Sequence, residues 1–464
     1  MNAASRVGAA AWVPALLAVV LSIPAWGHDF DDPADAQRLK GGWIDSDTEL
    51  PPVPEEDDPE APLPEDRQFD LRWIDRLNAR SMGRRKEAPG VLPILPRFGA
   101  GPGWRATLRP HLPAEFEPQE ALVLPVGLLA EEAPEALAGL VAATRHRTAL
   151  VGIVANPAQR ARVEQELRAK GLPATGIQFA EMPHNTKWLR DYGPIFVRLQ
   201  NNRRAAVDAE YPESGREDDD VAPAKLAGRF HADVLPVPIV FEGGNLLTNG
   251  RGLCLTTTAA IFRNSDQPDA ETRVLNVFRD CFGSTQTVFL EPLMGEPTGH
   301  VDMFACFTAP GVVVVGSYSP ASDPLNAAVL DRNADRLSGL PTSAGPLRVV
   351  RVPMPPHQDS NWRTYTNIVF ANSVVLVPTY RGVDRAGREK ALDIFARLMP
   401  GWKVIGIDST SLIQGGGALR CISAGVPLAP PRAAPALHRA VQGIPGSTPP
   451  DGQTPQKPLR RRAG

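Results

Sequence analysis

Five short apolar runs, spaced about 60 to 70 residues apart, constrain the fold of this chain more than any other feature. They are Ala121-Leu122-Val123-Leu124, Ile195-Phe196-Val197, Leu253-Cys254-Leu255-Thr256, Val312-Val313-Val314-Val315 and Val374-Val375-Leu376-Val377. Each is short, β-branched or aliphatic, and continuous, which marks a buried strand. Helical stretches intervene at Ala158–Lys170, Asp269–Cys281, Asn326–Leu337 and Arg385–Leu398. Strands interleaved with helices predict the α/β class. Five such units at a similar period predict a pseudo-symmetric repeat closed into a ring. The units share no sequence motif, so the period alone carries that expectation.

The 464 residues suit one large domain or two ordinary ones. A hydrophobic share of 43% and a charged share of 22% allow a sizeable core. A net charge of -3 offers no basic surface, so neither nucleic acid nor anionic lipid is expected as a partner. The two ends differ from the middle. Residues 1–27 read as a signal peptide: Arg6, an apolar stretch from Val7 to Ile23, then Ala25-Trp26-Gly27 with cleavage after Gly27. An uncleaved anchor is the alternative, because the stretch is near the lower limit for spanning. No second run of that length occurs, so no stable membrane insertion is expected after cleavage, and the mature chain is expected to be secreted or periplasmic.

Residues 28–104 form an acidic, proline-rich leader, expected to be mostly extended. Phe69, Trp73, Ile74 and Leu77 recur there at helical spacing and predict one short docked helix. The compact domain is expected over 105–427. The tail, 428–464, is proline-rich, ends in Arg460-Arg461-Arg462, and is expected to be disordered. Four cysteines are too few for a disulfide-built scaffold even after export. A Cys254–Cys281 pair is left open by the spacing. Cys306, in the apolar run Met303–Phe307, reads as a small buried hydrophobe.

Function concentrates in loops held by rigid strands, and four loops here carry unusual polar residues. Trp188-Leu189-Arg190-Asp191-Tyr192-Gly193-Pro194 leads into Ile195–Val197. A carboxylate at a strand entrance beside an aromatic ring can receive a cation; an Arg190–Asp191 pair at a turn fits the same letters. Phe241-Glu242-Gly243-Gly244-Asn245 follows the apolar run Val237–Val240. Its two glycines permit close backbone approach or positive φ, with Glu242 facing a site or simply exposed on a hairpin. Gly299-His300-Val301-Asp302 enters Met303–Phe307, and strand alternation predicts His300 and Asp302 on one face. Such a pair suits acid/base work, cation binding or metal ligation. Gly415-Gly416-Gly417-Ala418-Leu419-Arg420-Cys421 follows the strand-like Trp402–Ile407. Three successive glycines serve a special backbone path. Cys421 on such a loop reads as an exposed thiolate nucleophile or as a buried residue opening a last strand. A thiolate needs a nearby cation: protonated His300, a substrate guanidinium or Arg420.

Together these residues fit one reaction. A guanidinium is planar and forked and is held by two carboxylates. Asp191 and Asp302 can supply these, with Glu242 as a third acid. Once the central carbon is oriented, a thiolate can attack it. His300 then protonates departing ammonia and later deprotonates the water that cleaves the thiouronium intermediate.

These motifs resemble the agmatine deiminase and bacterial (Porphyromonas-type) peptidylarginine deiminase family, of the guanidine-modifying or pentein superfamily. The likeness runs from Leu112-Pro113-Ala114-Glu115-Phe116-Glu117-Pro118 to Cys421-Ile422-Ser423 and includes the four loops above and Arg363-Thr364-Tyr365-Thr366-Asn367. It implies a five-bladed α/β propeller with the site in a central channel. It implies Cys421 as nucleophile, His300 as acid/base, and Asp191 and Asp302 as guanidinium ligands. Glu242 matches the acid that pairs with the histidine, Asn367 a site asparagine, and Trp188 an aromatic along the substrate stem. Arg190, in the same motif, is expected at the substrate. The implied substrate is a small-molecule or peptide guanidino compound, hydrolysed at a C–N bond with no metal or cofactor. Agmatine-type members usually carry His directly before the cysteine, where this chain has Arg420. Export also departs from intracellular agmatine degradation and fits peptidylarginine or an extracellular guanidino compound. Arg216 is a further candidate for a substrate carboxylate, against the plainer reading of a surface arginine.

Three other readings remain. A metallohydrolase would use His300, Asp302 and either His184 or His357, but zinc needs three or four convergent ligands and no paired-histidine motif is present. A non-catalytic guanidine-binding module would take Arg420 as a mark of lost activity. An amidino transferase would need an amine acceptor and release no ammonia.

Overall fold

A computed structural model of the chain describes residues 70–83, 109–200, 203–357 and 359–429. The expected signal peptide, most of the leader and nearly all of the tail lie outside the described residues. Each of the five apolar runs falls in a different sheet. Four are inner strands; Ile195–Arg198 is instead the antiparallel edge of its sheet, with Arg204–Glu210 in the middle. That middle strand, Arg-Ala-Ala-Val-Asp-Ala-Glu, is rich in alanine and charge, so it lacks the β-branched signature that marked the others.

The five sheets repeat one topology. An edge strand pairs antiparallel with the middle strand, and the middle strand pairs parallel with a third, reached by a helical crossover. The second unit is Ile195–Arg198, Arg204–Glu210 and Asp233–Val240. The third is Leu247–Thr248, Leu253–Thr257 and Gln286–Leu290. The fourth is Ala305–Ala309, Val312–Ser317 and Arg348–Pro353. The fifth is Val369–Phe370, Val374–Thr379 and Lys403–Asp408. In the first, Gln119–Leu124 and Ala149–Val154 are the parallel pair, Ile177–Glu181 adds a fourth strand, and the antiparallel edge is Ala424–Pro427 from the far end of the domain. A separate hairpin, Pro341–Thr342 with Gly345–Pro346, decorates the fourth unit's crossover.

The apolar runs are continuous because both faces of each strand are buried. Val313 and Val315 enter one apolar cluster, while Val314 enters the next. Leu122 and Leu124 pack with Val374, Leu376 and Ile407 of the fifth unit, whereas Ala121 and Val123 pack with Phe196 and Ala206 of the second. The crossover helices start where local chemistry dictates. Asn156 caps Pro157–Ala169 by accepting from the Gln159 amide, and Asp323 caps Pro324–Leu337 by accepting from that of Asn326. Both helices begin on a proline, whose missing N–H costs nothing at the first helical position.

The predicted docked helix is present at Leu71–Gly83. Trp73, Ile74 and Leu77 are buried against the second and third units. Asn78 pairs with both backbone groups of Phe289, accepting from its N–H at 2.7 Å and donating to its carbonyl at 3.1 Å. Ser81 accepts from the Thr287 N–H at 2.8 Å. The helix therefore covers the otherwise open edge of Gln286–Leu290. Among the described residues no helix is long and apolar enough to cross a membrane.

Candidate active site

The repeat places five chemically different groups at equivalent positions. Asp191, Glu242, the His300–Asp302 pair, Asn367 and Cys421 each lie two to five residues before the antiparallel edge strand of a different unit. The connections between these loops are backbone and amide bonds. The Arg190 N–H donates to the Cys421 carbonyl at 2.9 Å. Asn245 Oδ1 accepts from Thr257 and Val301, tying the Glu242 loop to the His300 turn.

His300 is held between two acids. Its Nε2 lies 2.7 Å from Glu242 Oε2, and its Nδ1 lies 3.7 Å from Asp191 Oδ1. Asp191 Oδ1 also accepts from the Gly244 N–H at 3.2 Å. Only glycine fits at 244: a Cβ there would stand 2.4 Å from His300 Nδ1 and 2.7 Å from Asp191 Oδ1. Burial alone would lower the His300 pKa, but the neighbouring Asp191 and Glu242 outweigh it and push it up to about 9. Burial raises Asp191 to about 7, against the pull of His300. Burial would also raise Glu242; His300, Arg263 and Arg216 together outweigh it and hold that carboxylate below its usual range.

His300 and Asp302 do not alternate along a strand as expected. Val301–Met303 forms a single 3-10 turn, and the strand starts at Ala305. Gly299, at φ +65°, sets up this turn, and Glu296 holds it by accepting from the Gly299 N–H at 2.8 Å. The turn sends His300 toward Asp191 and Glu242 and Asp302 toward Arg420.

Cys421 is buried, 5% exposed, where an exposed thiolate was expected. Asn367 Nδ2 lies 3.3 Å from its Sγ. Burial pushes the thiol pKa well up, and the charges of Asp302 and Asp191 push it further; Asn367 and a backbone hydrogen bond oppose this. Gly417 separates Cys421 from Trp188: a Cβ at 417 would approach the Trp188 ring to 2.5 Å and the Cys421 Cβ to 3.0 Å. The geometry thus gathers a thiol, an amide, an imidazole and three carboxylates, Asp191, Glu242 and Asp302, around one point.

A family model of Porphyromonas-type peptidyl-arginine deiminases matches residues 111–427. The chain belongs to that family. It is accordingly a hydrolase acting on carbon–nitrogen bonds, in the guanidine-modifying superfamily. A Legionella pneumophila protein with the provisional name agmatine deiminase is 27% identical over 264 residues, covering 53% of this chain and 74% of that one. The solved structure of an Enterococcus faecalis agmatine deiminase superposes with a TM-score of 0.59 at 24% identity, covering 68% of this chain and 96% of that one. That of C. jejuni agmatine deiminase gives 0.58 at 21%, covering 68% and 95%. At these identities the solved structures speak for a shared α/β fold.

Within this peptidyl-arginine deiminase relative, one sequence candidate, Arg190, makes contacts other than those expected. The Arg190 guanidinium pairs with Glu115 at 2.9 Å and approaches the Arg420 carbonyl at 3.4 Å, where a place at the substrate was expected. The side chain follows the backbone bond that fastens residue 190 to Cys421, which leaves it under the loop. Trp188 packs on Gly415 and Gly417 and carries the Lys187 ammonium 4.5 Å from its ring centre. His184 and His357 do not join His300. His184 Nδ1 lies 3.1 Å from the Met182 carbonyl, and His357 pairs with Asp323 and stacks on Trp362. Among the described residues no three His, Cys, Asp or Glu side chains are grouped to hold a metal. Cys254 is a buried free thiol, so a Cys254–Cys281 bond is not formed.

Sequence reasoning missed Glu115, Arg263 and Glu296. Glu115 sits in a proline-flanked turn before the first strand and pairs with both Arg190 and Arg420. Arg263 Nη2 lies 2.8 Å from Glu242 Oε2. These pairings join residues far apart in the chain, and no local pattern announces them.

Proposed function

We propose that this chain is a thiol-dependent guanidino deiminase that converts a guanidino compound to its ureido product and ammonia. One observation carries the reading: His300, clamped between Asp191 and Glu242, shares a buried site with the Cys421 thiol and with Asp302, whose Oδ1 is buried without a partner among the described residues. A guanidinium entering there would supply the donor that oxygen lacks, with Asp191 taking the other edge. Its positive charge beside Cys421 would favour the thiolate, offsetting the burial that raises the thiol.

The balanced course is short. Cys421 gives its proton to solvent water, and its thiolate Sγ bonds to the guanidinium carbon while the C=N π pair moves onto a terminal nitrogen. His300 donates a proton to one terminal nitrogen, and ammonia departs as the C–N bond breaks. Neutral His300 then takes a proton from water, whose oxygen attacks the thiouronium carbon. The C–S bond breaks as the new hydroxyl gives up its proton to the departing sulfur, leaving the ureido product and the thiol side chain, with His300 again protonated.

The surroundings of Glu242 favour a substrate carrying a carboxylate. Arg263 and Arg216 both act on Glu242, and Arg216 donates to the Tyr211 hydroxyl while making no ion pair among the described residues. Arg216 is the cation that a substrate carboxylate, as in arginine or a peptide ending in arginine, would meet there; Arg263 is already paired with Glu242 and faces Glu213 at 3.7 Å. We further propose that the five units close as propeller blades around this site, supported by apolar clusters that join each sheet to the next, including fifth to first. Export through residues 1–27 is part of the same proposal.

Ammonia release by residues 28–464 tests the reading, with arginine, C-terminal and internal arginine peptides, and agmatine as substrates and Cys421→Ala as control. Turnover lost in the variant, with arginine compounds preferred, supports it. Folded protein with a titratable Cys421 and no turnover on any of them would leave the guanidine-binding module as the better reading.

A further inference from the structure

The residue beside the nucleophile, Arg420, is 3% exposed, and its guanidinium is fully engaged. Nε and Nη2 each lie 3.1 Å from a Glu115 carboxylate oxygen. Nη2 also donates to the Leu246 carbonyl at 2.7 Å. Nη1 donates to Asp302 Oδ2 at 2.8 Å and reaches the carbonyls of Gly243 and Gly244 at 3.3 and 3.4 Å. These contacts span the loop of Glu242, the turn of Asp302 and the segment before the first strand. The Arg420 N–H adds a 2.7 Å bond to Asn367 Oδ1. A planar fork with five donors can do this; an ammonium with three cannot.

Asp302 has the complementary peculiarity. It is fully buried; Oδ2 is taken by Arg420, and Oδ1 has no partner among the described residues. A bare buried carboxylate oxygen is costly unless something is meant to reach it. We infer that Arg420 is a positioning residue for substrate binding: backed by Glu115, it ties one oxygen of Asp302 to the protein's own guanidinium so that the other is presented to the substrate's guanidinium. This rests on the deiminase reading above and deepens it.

Glu115 is essential to the device. It stands between Arg420 and Arg190, so acid and base alternate from Asp302 through Arg420 and Glu115 to Arg190. Burial and the charge of Arg420 both lower the Arg190 pKa, a sign of the repulsion that Glu115 counters. A cavity lined by Glu115, Phe116, Arg190, Ile368, Phe370 and Arg420 borders this row, and neither Cys421 nor His300 lines it. Of this row only Asp302 is placed to meet the substrate; Arg420, Glu115 and Arg190 back it.

Calorimetric binding of arginine to the Cys421→Ala protein tests this independently of turnover. Adding Arg420→Met removes the fixed cation, and the binding constant is expected to weaken by about 10- to 100-fold at neutral pH, the worth of a charged hydrogen-bond partner. Affinity in that variant should also recover as pH rises, with an added slope approaching about tenfold per unit, because a buried carboxylate without its cation takes up a proton that the ligand must displace. A merely structural loss would weaken binding equally at every pH. Should Arg420→Met fail to fold, Glu115→Gln is expected to show the same weakening in milder form. Unchanged affinity, weakening without the added pH slope in Arg420→Met, or no arginine binding by the Cys421→Ala parent would overturn the inference. Ammonia release by the wild type separately decides the deiminase reading.

Discussion

Two buried polar rows meet beside Cys421; both alternate acid with base, but they are built on different kinds of cation. Asp191, His300 and Glu242 form one. Its neighbouring acids push His300 up to about 9, and burial raises Asp191 to about 7, so both groups can gain or lose a proton within the ordinary pH range. Asp302, Arg420, Glu115 and Arg190 form the other. Its cations are guanidiniums, which do not give up their protons in proteins. The first row suits proton transfer; the second suits holding a carboxylate still. A thiol buried among acids is poorly ionised by itself, and the contrast shows how a site can be mobile in protons on one side and rigid on the other.

The largest expected effect lies at the meeting point. Cys421→Ala should reduce ammonia release by more than about 10⁴-fold while arginine binding persists. Residual turnover near wild type would mean that neither row serves a thiol. Breaking the mobile row comes next. His300→Gln should lower kcat by about 10²- to 10⁴-fold, the usual worth of a general acid/base. Glu242→Gln should cost less, about tenfold, and shift the basic limb of the rate–pH profile to lower pH, because Glu242 helps raise the His300 pKa. An unmoved limb would detach Glu242 from the proton path.

Stability sharpens the same contrast. The folded pKa of His300 lies above its free value of 6.5, so its charge stabilises the fold fully below about pH 6.5 and ceases to do so as pH rises through 9. Urea denaturation should therefore show wild type losing its advantage over His300→Gln across that window. A constant gap would show that His300 acts by packing alone. The smallest effect on activity is expected outside both rows. Trp73→Ala removes a buried indole that also donates to Glu271 at 2.6 Å. It should cost about 3–5 kcal/mol of stability in a thermal melt and leave kcat/KM unchanged.

The legible parts of the sequence were those with local causes. The apolar runs announced one strand in each sheet because a strand buried on both faces has no choice but to be apolar throughout. The helices at 157–169, 270–280, 324–337 and 385–398 followed from periodicity, within two residues of the expected bounds. The helix at 71–83 was visible in Trp73, Ile74 and Leu77 even within a proline-rich leader. Arg204–Glu210 escaped because alanine can fill a strand without signalling one.

At the site the division is similar. Glycine-marked loops singled out Asp191, Glu242, His300, Asp302 and Cys421, because a loop that must bring backbone and side chains this close needs glycine, as Gly244 shows. What each residue touches was decided elsewhere. A 3-10 turn, absent from any alternation rule, parts His300 from Asp302. Glu115 reaches Arg420 across 305 residues of chain, and Arg263 reaches Glu242 from the crossover of the third unit. Sequence determines which groups are available and roughly where each element lies, since propensity and burial act over a few neighbours. Only the tertiary structure chooses partners for buried charges, because that choice is made by desolvation and distance between segments that adjoin only after folding.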